Sequence, residues 1–154
     1  MDGNTVSVER VIKALPDKIF ALVADAGKHA SIDGTESVNH ATDASVPLSM
    51  GTKFGIAMRG RKETLFLPYR TTNTVIEYEP GRRIAWKTTF AGGRVGGRIW
   101  RYELEAAPDG TLVRETWDVS QDKQKWMITS GSIPQKTADG MRATLERIAQ
   151  LLES

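Results

Sequence analysis

The sequence contains no cysteine, which excludes disulfide bonds, thiolate metal sites and cysteine nucleophiles. Only two histidines are present, so imidazole chemistry has little to draw on. No G-x-S-x-G nucleophile motif occurs, and the glycine-rich run 92–97 matches neither phosphate-binding pattern. We interpret that run as a flexible hairpin loop. The longest apolar run, residues 19–24, is far too short to cross a membrane. The first four residues carry an acid and no apolar region, so we expect no signal peptide, no membrane insertion and a cytoplasmic protein.

Charge of one sign is also lacking. The 154 residues include 21 Lys and Arg against 19 Asp and Glu, a net charge of +2 that predicts no nucleic-acid partner. The basic clusters at 59–62, at 82–83 and at Arg94, Arg98 and Arg101 are interpreted as solvated strand ends. Apolar residues make up 40% and charged residues 26%, which is typical of a globular protein. We therefore expect a single domain over residues 1–154.

Hydrophobic periodicity predicts one strand, two short helices, six more strands and a long C-terminal helix. The first strand is expected over 5–14, one helix opening at Leu15-Pro16-Asp17, and a second over Lys28–Ile32. Further strands are expected near 36–43, 52–59, 64–78, 83–90, 95–106 and 111–119. Short turns between consecutive strands favour an antiparallel sheet, so the predicted class is α+β with a seven-stranded sheet.

The C-terminal helix shows the clearest pattern. One apolar stripe has the helical spacing 3, 4, 3, 4, and comprises Ala138, Met141, Leu145, Ile148 and Leu152. The opposite, solvated face comprises Arg142, Glu146, Arg147, Gln150 and Glu153. Ser132 is a candidate N-cap. Gly140 interrupts the pattern of helix-forming residues. Either the helix simply tolerates the glycine, or the glycine is there because a strand or a ligand passes close by.

The hairpin around residues 107–110 fixes a register. If these four residues form the loop, Ala106 faces Thr111, and counting outward pairs Leu104 with Val113, Tyr102 with Glu115 and Trp100 with Trp117. The opposite face is solvated, and cross-strand ion pairs are expected on it. Its residues are Arg101, Glu103, Glu105, Arg114, Thr116 and Asp118.

Glu115 then lies on an apolar face, where a carboxylate must be paired, protonated or close to water. Arg98 falls on the same face by parity, so Arg98, Tyr102 or another neighbour could anchor Glu115 structurally. Alternatively, Glu115 orients a ligand inside a pocket. The weak catalytic candidates are Glu115, Tyr102 and Arg98; no catalytic residue is assigned.

Several apolar side chains are candidates for lining that pocket, although each alone is more commonly plain core. The predicted ligand-binding set is Phe54, Met58, Trp86, Trp100, Tyr102, Glu115, Trp117, Met141 and Leu145. Met127 is interpreted as a further adaptable filler.

Metal binding has little support. His29, Asp33 and His40 could form a two-histidine, one-carboxylate site, but Gly34 breaks the segment. The better interpretation is that Asp33 caps the turn and His29 bonds nearby backbone. We expect no metal and no cofactor.

Phrases along the whole chain carry a family resemblance. They are Val8-Glu9-Arg10-Val11-Ile12, Ala14-Leu15-Pro16, Ile19-Phe20-Ala21-Leu22-Val23-Ala24-Asp25, His29 with Ile32-Asp33-Gly34, Pro68-Tyr69-Arg70, Asn73-Thr74-Val75-Ile76-Glu77, Arg82-Arg83-Ile84-Ala85-Trp86, Trp100-Arg101-Tyr102-Glu103-Leu104-Glu105, Arg114-Glu115-Thr116-Trp117-Asp118 and Met141-Arg142-Ala143-Thr144-Leu145. The chain resembles the START/Bet v 1-like superfamily (SRPBCC), in particular its bacterial polyketide cyclase/dehydrase and lipid-transport group.

The resemblance implies a helix-grip fold, in which a curved antiparallel sheet grips the C-terminal helix around a cavity for apolar ligands. Residues 64–67 resemble an insertion at its rim. The family has no universal catalytic motif to carry over. The leading hypothesis is a protein that binds a hydrophobic or aromatic small molecule, lipid or polyketide, as a monomer or homodimer. The alternatives are a cyclase or aromatase using cavity acid–base groups, and a protein-interaction module.

Overall fold

A computed structural model describes residues 1–34, 38–41, 47–58 and 68–153, with only the backbone described for 38–41. The strands are β1 (Thr5–Ile12), β2 (Val38–Ala41), β3 (Lys53–Met58), β4 (Tyr69–Glu79), β5 (Arg83–Phe90), β6 (Val95–Ala107) and β7 (Gly110–Asp118). The helices are α1 (Pro16–Val23), α2 (His29–Ile32), α3 (Lys125–Ile128) and α4 (Ile133–Leu152), with a 3₁₀ turn at Ala26–Lys28 before α2. Among these helices none is long and apolar enough to cross a membrane.

The described strands form one antiparallel sheet in the order β1-β7-β6-β5-β4-β3-β2. The sheet is curved, and α4 packs against it mainly along β1. The α+β class and the antiparallel sheet with its C-terminal helix are thus confirmed, and the arrangement is consistent with a helix grip. The basic cluster 59–62 and residues 64–67 lie outside the described residues.

The β6–β7 hairpin has the register expected from its sequence. Ala106 pairs with Thr111, Tyr102 with Glu115, and Trp100 with Trp117. Ala107 and Gly110 also pair, so the loop itself is the two residues Pro108 and Asp109 rather than four. We call the face that carries Tyr102, Glu115 and Trp117 the inner face.

The outer face of the sheet carries the expected ion pairs. Arg101 donates from Nη2 to Glu77 Oε2 at 2.6 Å and lies 3.6 Å from Asp118 Oδ2. Arg114 donates to Glu9 Oε1 at 2.6 Å across β7 and β1. The Arg114–Glu9 and Arg101–Asp118 pairs join neighbouring strands, whereas the Arg101–Glu77 pair reaches across β5.

The stripe of α4 is buried as its spacing predicts. Ala138, Met141, Leu145 and Ile148 belong to the hydrophobic core, and Leu152 packs against it half-buried. Arg147 departs from the expectation that it lies in water, because its Nη1 donates to the carbonyl of Asp33 at 2.5 Å. The long apolar stem of arginine can lie along the protein surface while its guanidinium group reaches a polar partner. Arg147 therefore belongs to the edge of the solvated face of α4 rather than to its centre.

A close approach of chain segments explains the glycine in α4. The Gly34 amide donates to Thr144 Oγ1 at 2.8 Å, and a Cβ added at Gly34 would lie 2.5 Å from the Gly140 carbonyl oxygen. The neighbour at Gly140 is therefore the turn that follows α2, rather than a strand. Two glycines, one on each side, allow the turn to pack directly on the helix backbone.

Two expectations need correction here, and one helix was not expected. Gly96 and Gly97 are residues of β6 rather than loop, and a Cβ at Gly97 would lie 2.4 Å from the Gln121 carbonyl oxygen. Met127 is exposed rather than core. The sequence also gave no indication of α3, because four residues are too short to show helical periodicity.

Candidate functional site

The inner face is built in rows, because residues paired across an antiparallel sheet point to the same side. One row contains Ile84, Tyr102 and Glu115. The next row along the strands contains Val75 and three tryptophans of the predicted ligand-binding set, Trp86, Trp100 and Trp117. A third row contains Phe54, Asn73, Thr88 and Arg98. Glu115 therefore lies between Val8 and Tyr102, in the row next to the three tryptophans.

The acid is bonded on one oxygen only. Tyr102 donates its hydroxyl to Glu115 Oε1 at 3.0 Å, and both side chains are buried. Glu115 Oε2 is buried and has no hydrogen-bond partner among the described residues. Since the large majority of buried side-chain polar atoms are paired in native proteins, this oxygen is the outstanding feature of the inner face.

Electrostatics favour the neutral form of this acid. Burial raises the pKa of Glu115 from 4.5 to about 8; the Tyr102 hydrogen bond opposes that change and the negative charge of Asp33 adds to it. Burial and the neighbouring Glu115 raise the pKa of Tyr102 well above 10. Both groups are thus protonated at neutral pH. With Oε1 accepting from Tyr102, the carboxyl proton resides on Oε2, which makes Oε2 a hydrogen-bond donor.

Aromatic rings surround the middle row. His29 stacks on Trp86 with centroids 4.8 Å apart, and Phe54 meets Trp86 edge-on at 5.8 Å. Trp86 also lies 5.9 Å from Tyr102, which links the rings to the acid. His29 Nε2 donates to the Val23 carbonyl at 2.9 Å, as expected, and burial lowers the pKa of His29, so the ring is neutral.

The third row is polar but satisfied. The Asn73 amide nitrogen donates to Thr71 Oγ1 at 3.1 Å and to the Phe54 carbonyl at 3.3 Å. Thr88 donates to Asn73 Oδ1 at 2.6 Å. Neither Thr71 nor Thr88 was expected to bond Asn73, although an asparagine on a buried strand is itself the signal of a structural polar contact.

Arg98 does not reach Glu115. It bonds Asp122 instead, from Nε to Oδ2 at 3.1 Å. Parity placed Arg98 on the correct face, but four residues separate it from Tyr102 along β6, which is about 13 Å of strand. The expectation that Arg98 anchors Glu115 is therefore wrong, while the expectation for Tyr102 is confirmed.

The structure brings the remaining predicted residues into one core. Phe54, Trp86, Trp117, Met141 and Leu145 are buried in it, and Met58 and Trp100 pack against it half-buried. Trp100 and Trp117 have centroids 6.5 Å apart. Whether this core opens into a ligand cavity stays a prediction.

The described residues contain no group of three His, Asp or Glu side chains placed to hold a metal ion. His29 is engaged with backbone, Asp33 accepts from Arg147 through its carbonyl, and the side chain of His40 lies outside the described residues.

A groove of about 610 Å³ is found at the end of β6 and β7 near the start of α1. Six of its eleven lining residues are charged, namely Glu79, Arg82, Arg83, Glu103, Glu105 and Arg114. Arg83 and Arg114 in this groove are paired with carboxylates and are partly exposed to water, whereas Glu115 Oε2 on the inner face is buried without a partner among the described residues.

Comparison with known proteins places these features in context. The sequence profile of the family described as polyketide cyclase / dehydrase and lipid transport matches residues 4–153. The uncharacterized protein Rv0088 of Mycobacterium tuberculosis is 30% identical over 139 residues, covering 86% of this chain. The chain spans 57% of the length of that relative.

Solved structures show the same fold. Protein CV1439 from Chromobacterium violaceum superposes with a TM-score of 0.70 at 18% identity, covering 99% of each chain. DynU16, a putative protein in the dynemicin biosynthetic locus, superposes with a TM-score of 0.67 at 17% identity. The match covers 98% of this chain and 48% of DynU16.

Proposed function

This chain belongs to the polyketide cyclase / dehydrase and lipid transport family, and on that premise we propose that it binds a hydrophobic, ring-containing small molecule between its sheet and α4. The ligand contacts the aromatic rows of the inner face. A carbonyl or hydroxyl oxygen of the ligand accepts a hydrogen bond from protonated Glu115. The observation that carries the proposal is the buried Oε2 of Glu115, which has no partner among the described residues.

A neutral carboxyl group suits this purpose. An ionised acid would be costly to bury beside an apolar ligand, whereas a protonated acid donates one hydrogen bond and carries no charge. The Tyr102 hydroxyl fixes the orientation of the carboxyl group by bonding Oε1. The remaining donor then points at a defined place, which favours ligands with an acceptor oxygen over pure hydrocarbons.

The rings supply the apolar contact. Pockets for small molecules are mostly apolar, with few placed polar groups, and the inner face has this composition. Trp100 is only half-buried, so part of its indole is available for contact. Met58 is half-buried as well and can adapt to varied apolar shapes.

The test compares two flat probes that differ in acceptor oxygens, anthraquinone and anthracene. We expect the protein to bind anthraquinone at least about tenfold more tightly, the factor that one good hydrogen bond supplies. Glu115→Leu should abolish the preference, and Glu115→Gln, which keeps a donor, should retain part of it. Glu105→Leu, on the exposed outer face, is the matched control. Equal binding of both probes by the parent protein would contradict the role of Glu115.

A second candidate function is cyclisation with loss of water, and the pKa of Glu115 near 8 favours it. Glu115 would donate its proton to a departing hydroxyl group, which leaves as water. The carboxylate would then recover a proton from the adjacent carbon as the double bond forms. For this function Glu115→Gln should leave binding of a poly-ketone mimic intact and lower its turnover by about 100-fold or more. Absence of turnover with intact binding would leave the carrier function as the conclusion.

A further inference from the structure

The segment after β7 exposes an apolar pair. Trp126 is 78% exposed and Met127 is 45% exposed, side by side on α3. A tryptophan in water is uncommon, because its indole is among the largest apolar surfaces a side chain offers. The other three tryptophans of the chain are buried or half-buried.

Positive charge surrounds this pair. Lys123 and Lys125 are exposed in the same segment, and Lys123 donates from Nζ to the Gly93 carbonyl at 2.5 Å in the β5–β6 turn. Gln124 donates to the Arg94 carbonyl at 3.4 Å, which brings the exposed Arg94 beside them. We call Trp126 and Met127 together with Arg94, Lys123 and Lys125 the α3 patch.

Acidic residues are nearly missing from these segments. Residues 86–98 and 119–138 carry six of the 21 Lys and Arg but one of the 19 Asp and Glu, a net charge of +5. The rest of the chain, which includes the bordering Asp118 and Asp139, is therefore net −3, so positive charge is concentrated in these two segments. The single acid, Asp122, is buried and bonded to Arg98.

We propose that the α3 patch docks this protein on an anionic lipid surface, with Trp126 and Met127 in the headgroup region and the cations on lipid phosphates. Tryptophan rings favour the membrane–water interface, and each nearby cation adds attraction to anionic lipid. Nucleic acid suits the patch less well, since single-strand binding uses several aromatic platforms along a groove. The proposal does not rest on the small-molecule ligand.

The place of the patch gives the docking a use. Asp122 bonds Arg98, which stands in the third row of the inner face, so the patch borders that end of the sheet. A protein docked there presents the same end of the inner face to the lipid. An apolar molecule would then exchange between the membrane and the protein without crossing bulk water.

The experiment is vesicle co-sedimentation with the full chain. Vesicles of phosphatidylcholine alone are compared with an equal mixture of phosphatidylcholine and phosphatidylglycerol, at low and high sodium chloride. We expect binding to the anionic vesicles and its loss at high salt. Lys125→Gln should weaken binding about fivefold, the effect of about 1 kcal/mol per cation. Lys18→Gln, which removes an exposed positive charge from α1, is the matched control.

Tryptophan emission reports the geometry. The exposed Trp126 should shift to shorter wavelength on anionic vesicles and be quenched by brominated lipid, and Trp126→Phe should lose both signals. Trp126→Ala should weaken sedimentation, whereas Leu15→Ala, which trims another exposed apolar side chain, should not. Vesicle binding unaffected by Trp126→Ala and Lys125→Gln would overturn the proposal. So would no binding at low salt, binding to RNA but not to vesicles, or burial of Trp126 by concentration-dependent dimerisation.

Discussion

Tyr102 bonds Glu115 at 3.0 Å through one carboxyl oxygen and leaves the other without a partner among the described residues. This asymmetry separates two roles of the same acid. The bonded oxygen fixes the side chain within the sheet, and the other oxygen is available for a proton and a ligand.

Replacing Glu115 by Gln should remove a pH dependence of stability. The folded pKa is raised to about 8 from 4.5, so the folded protein holds a proton that the unfolded chain has released. The sign follows: the protonated acid favours folding below about pH 4.5, and stability falls as pH rises from there to about 8. The free energy of unfolding should fall by at most about 5 kcal/mol over this window.

Urea unfolding across that pH range provides the measurement. The difference between the parent protein and Glu115→Gln isolates this acid from all other titrating groups. We expect the variant to be more stable than the parent above about pH 8, because a neutral amide avoids the buried charge. Parallel stability curves for the two proteins would show that Glu115 titrates normally.

Removing the Tyr102 hydroxyl should shift that titration upward. The Tyr102 hydrogen bond lowers the folded pKa of Glu115, so Tyr102→Phe should extend the decline in stability to a higher pH and move its midpoint upward. The onset near pH 4.5 is set by the unfolded chain and should stay in place. It should also cost about 1–2 kcal/mol at low pH, since Oε1 loses its donor. The same substitution in the Glu115→Gln background is the control for the loss of the hydroxyl alone. An unchanged pH midpoint would mean that the bond does not act on the acid.

The β6–β7 hairpin shows what the sequence can predict. Its two faces differ sharply in polarity, so counting from the loop placed Tyr102 beside Glu115 correctly, even with an overestimated loop. The same parity could not give distance along the strand, which is why Arg98 was wrongly placed near Glu115. The face to which a strand residue points follows from alternation with period two, which the sequence shows. The distance between two residues on the same face depends on the rise per residue along the strand.

Long-range contacts were beyond the sequence pattern. The bond of His29 to nearby backbone was predictable, because its partner Val23 is six residues away. Its stacking on Trp86 was not, since that contact joins α2 to β5. Arg147 was likewise placed in water by helical periodicity alone, and only the turn at Asp33 explains its actual partner.

Gly34 should not tolerate even alanine. A Cβ there would lie 2.4 Å from the Thr144 amide nitrogen and 2.5 Å from Ala143 Cβ, so the turn would have to move away from α4. We expect Gly34→Ala to destabilise the protein by about 2 kcal/mol or more, in the range of overpacking. Gly3→Ala is the control: its positive φ costs about 1 kcal/mol, but nothing lies within 4 Å. Equal losses for the two variants, measured by urea unfolding, would show that the turn yields easily.

Leu145→Ala tests how closely α4 packs on the inner face. Leu145 is 1% exposed and belongs to the core cluster, so a close-packed site should lose about 2–5 kcal/mol of unfolding free energy. The loss should be smaller if Leu145 lines an open cavity, because the truncated atoms then had fewer contacts. Leu151→Ala removes the same atoms from a half-exposed position on the same helix and should cost less than about 1 kcal/mol.

A loss near the lower bound for Leu145→Ala, together with tighter binding of a bulky aromatic probe, would indicate that α4 forms a wall of the ligand site. An unchanged denaturation midpoint would contradict both the packed and the cavity-lining arrangement.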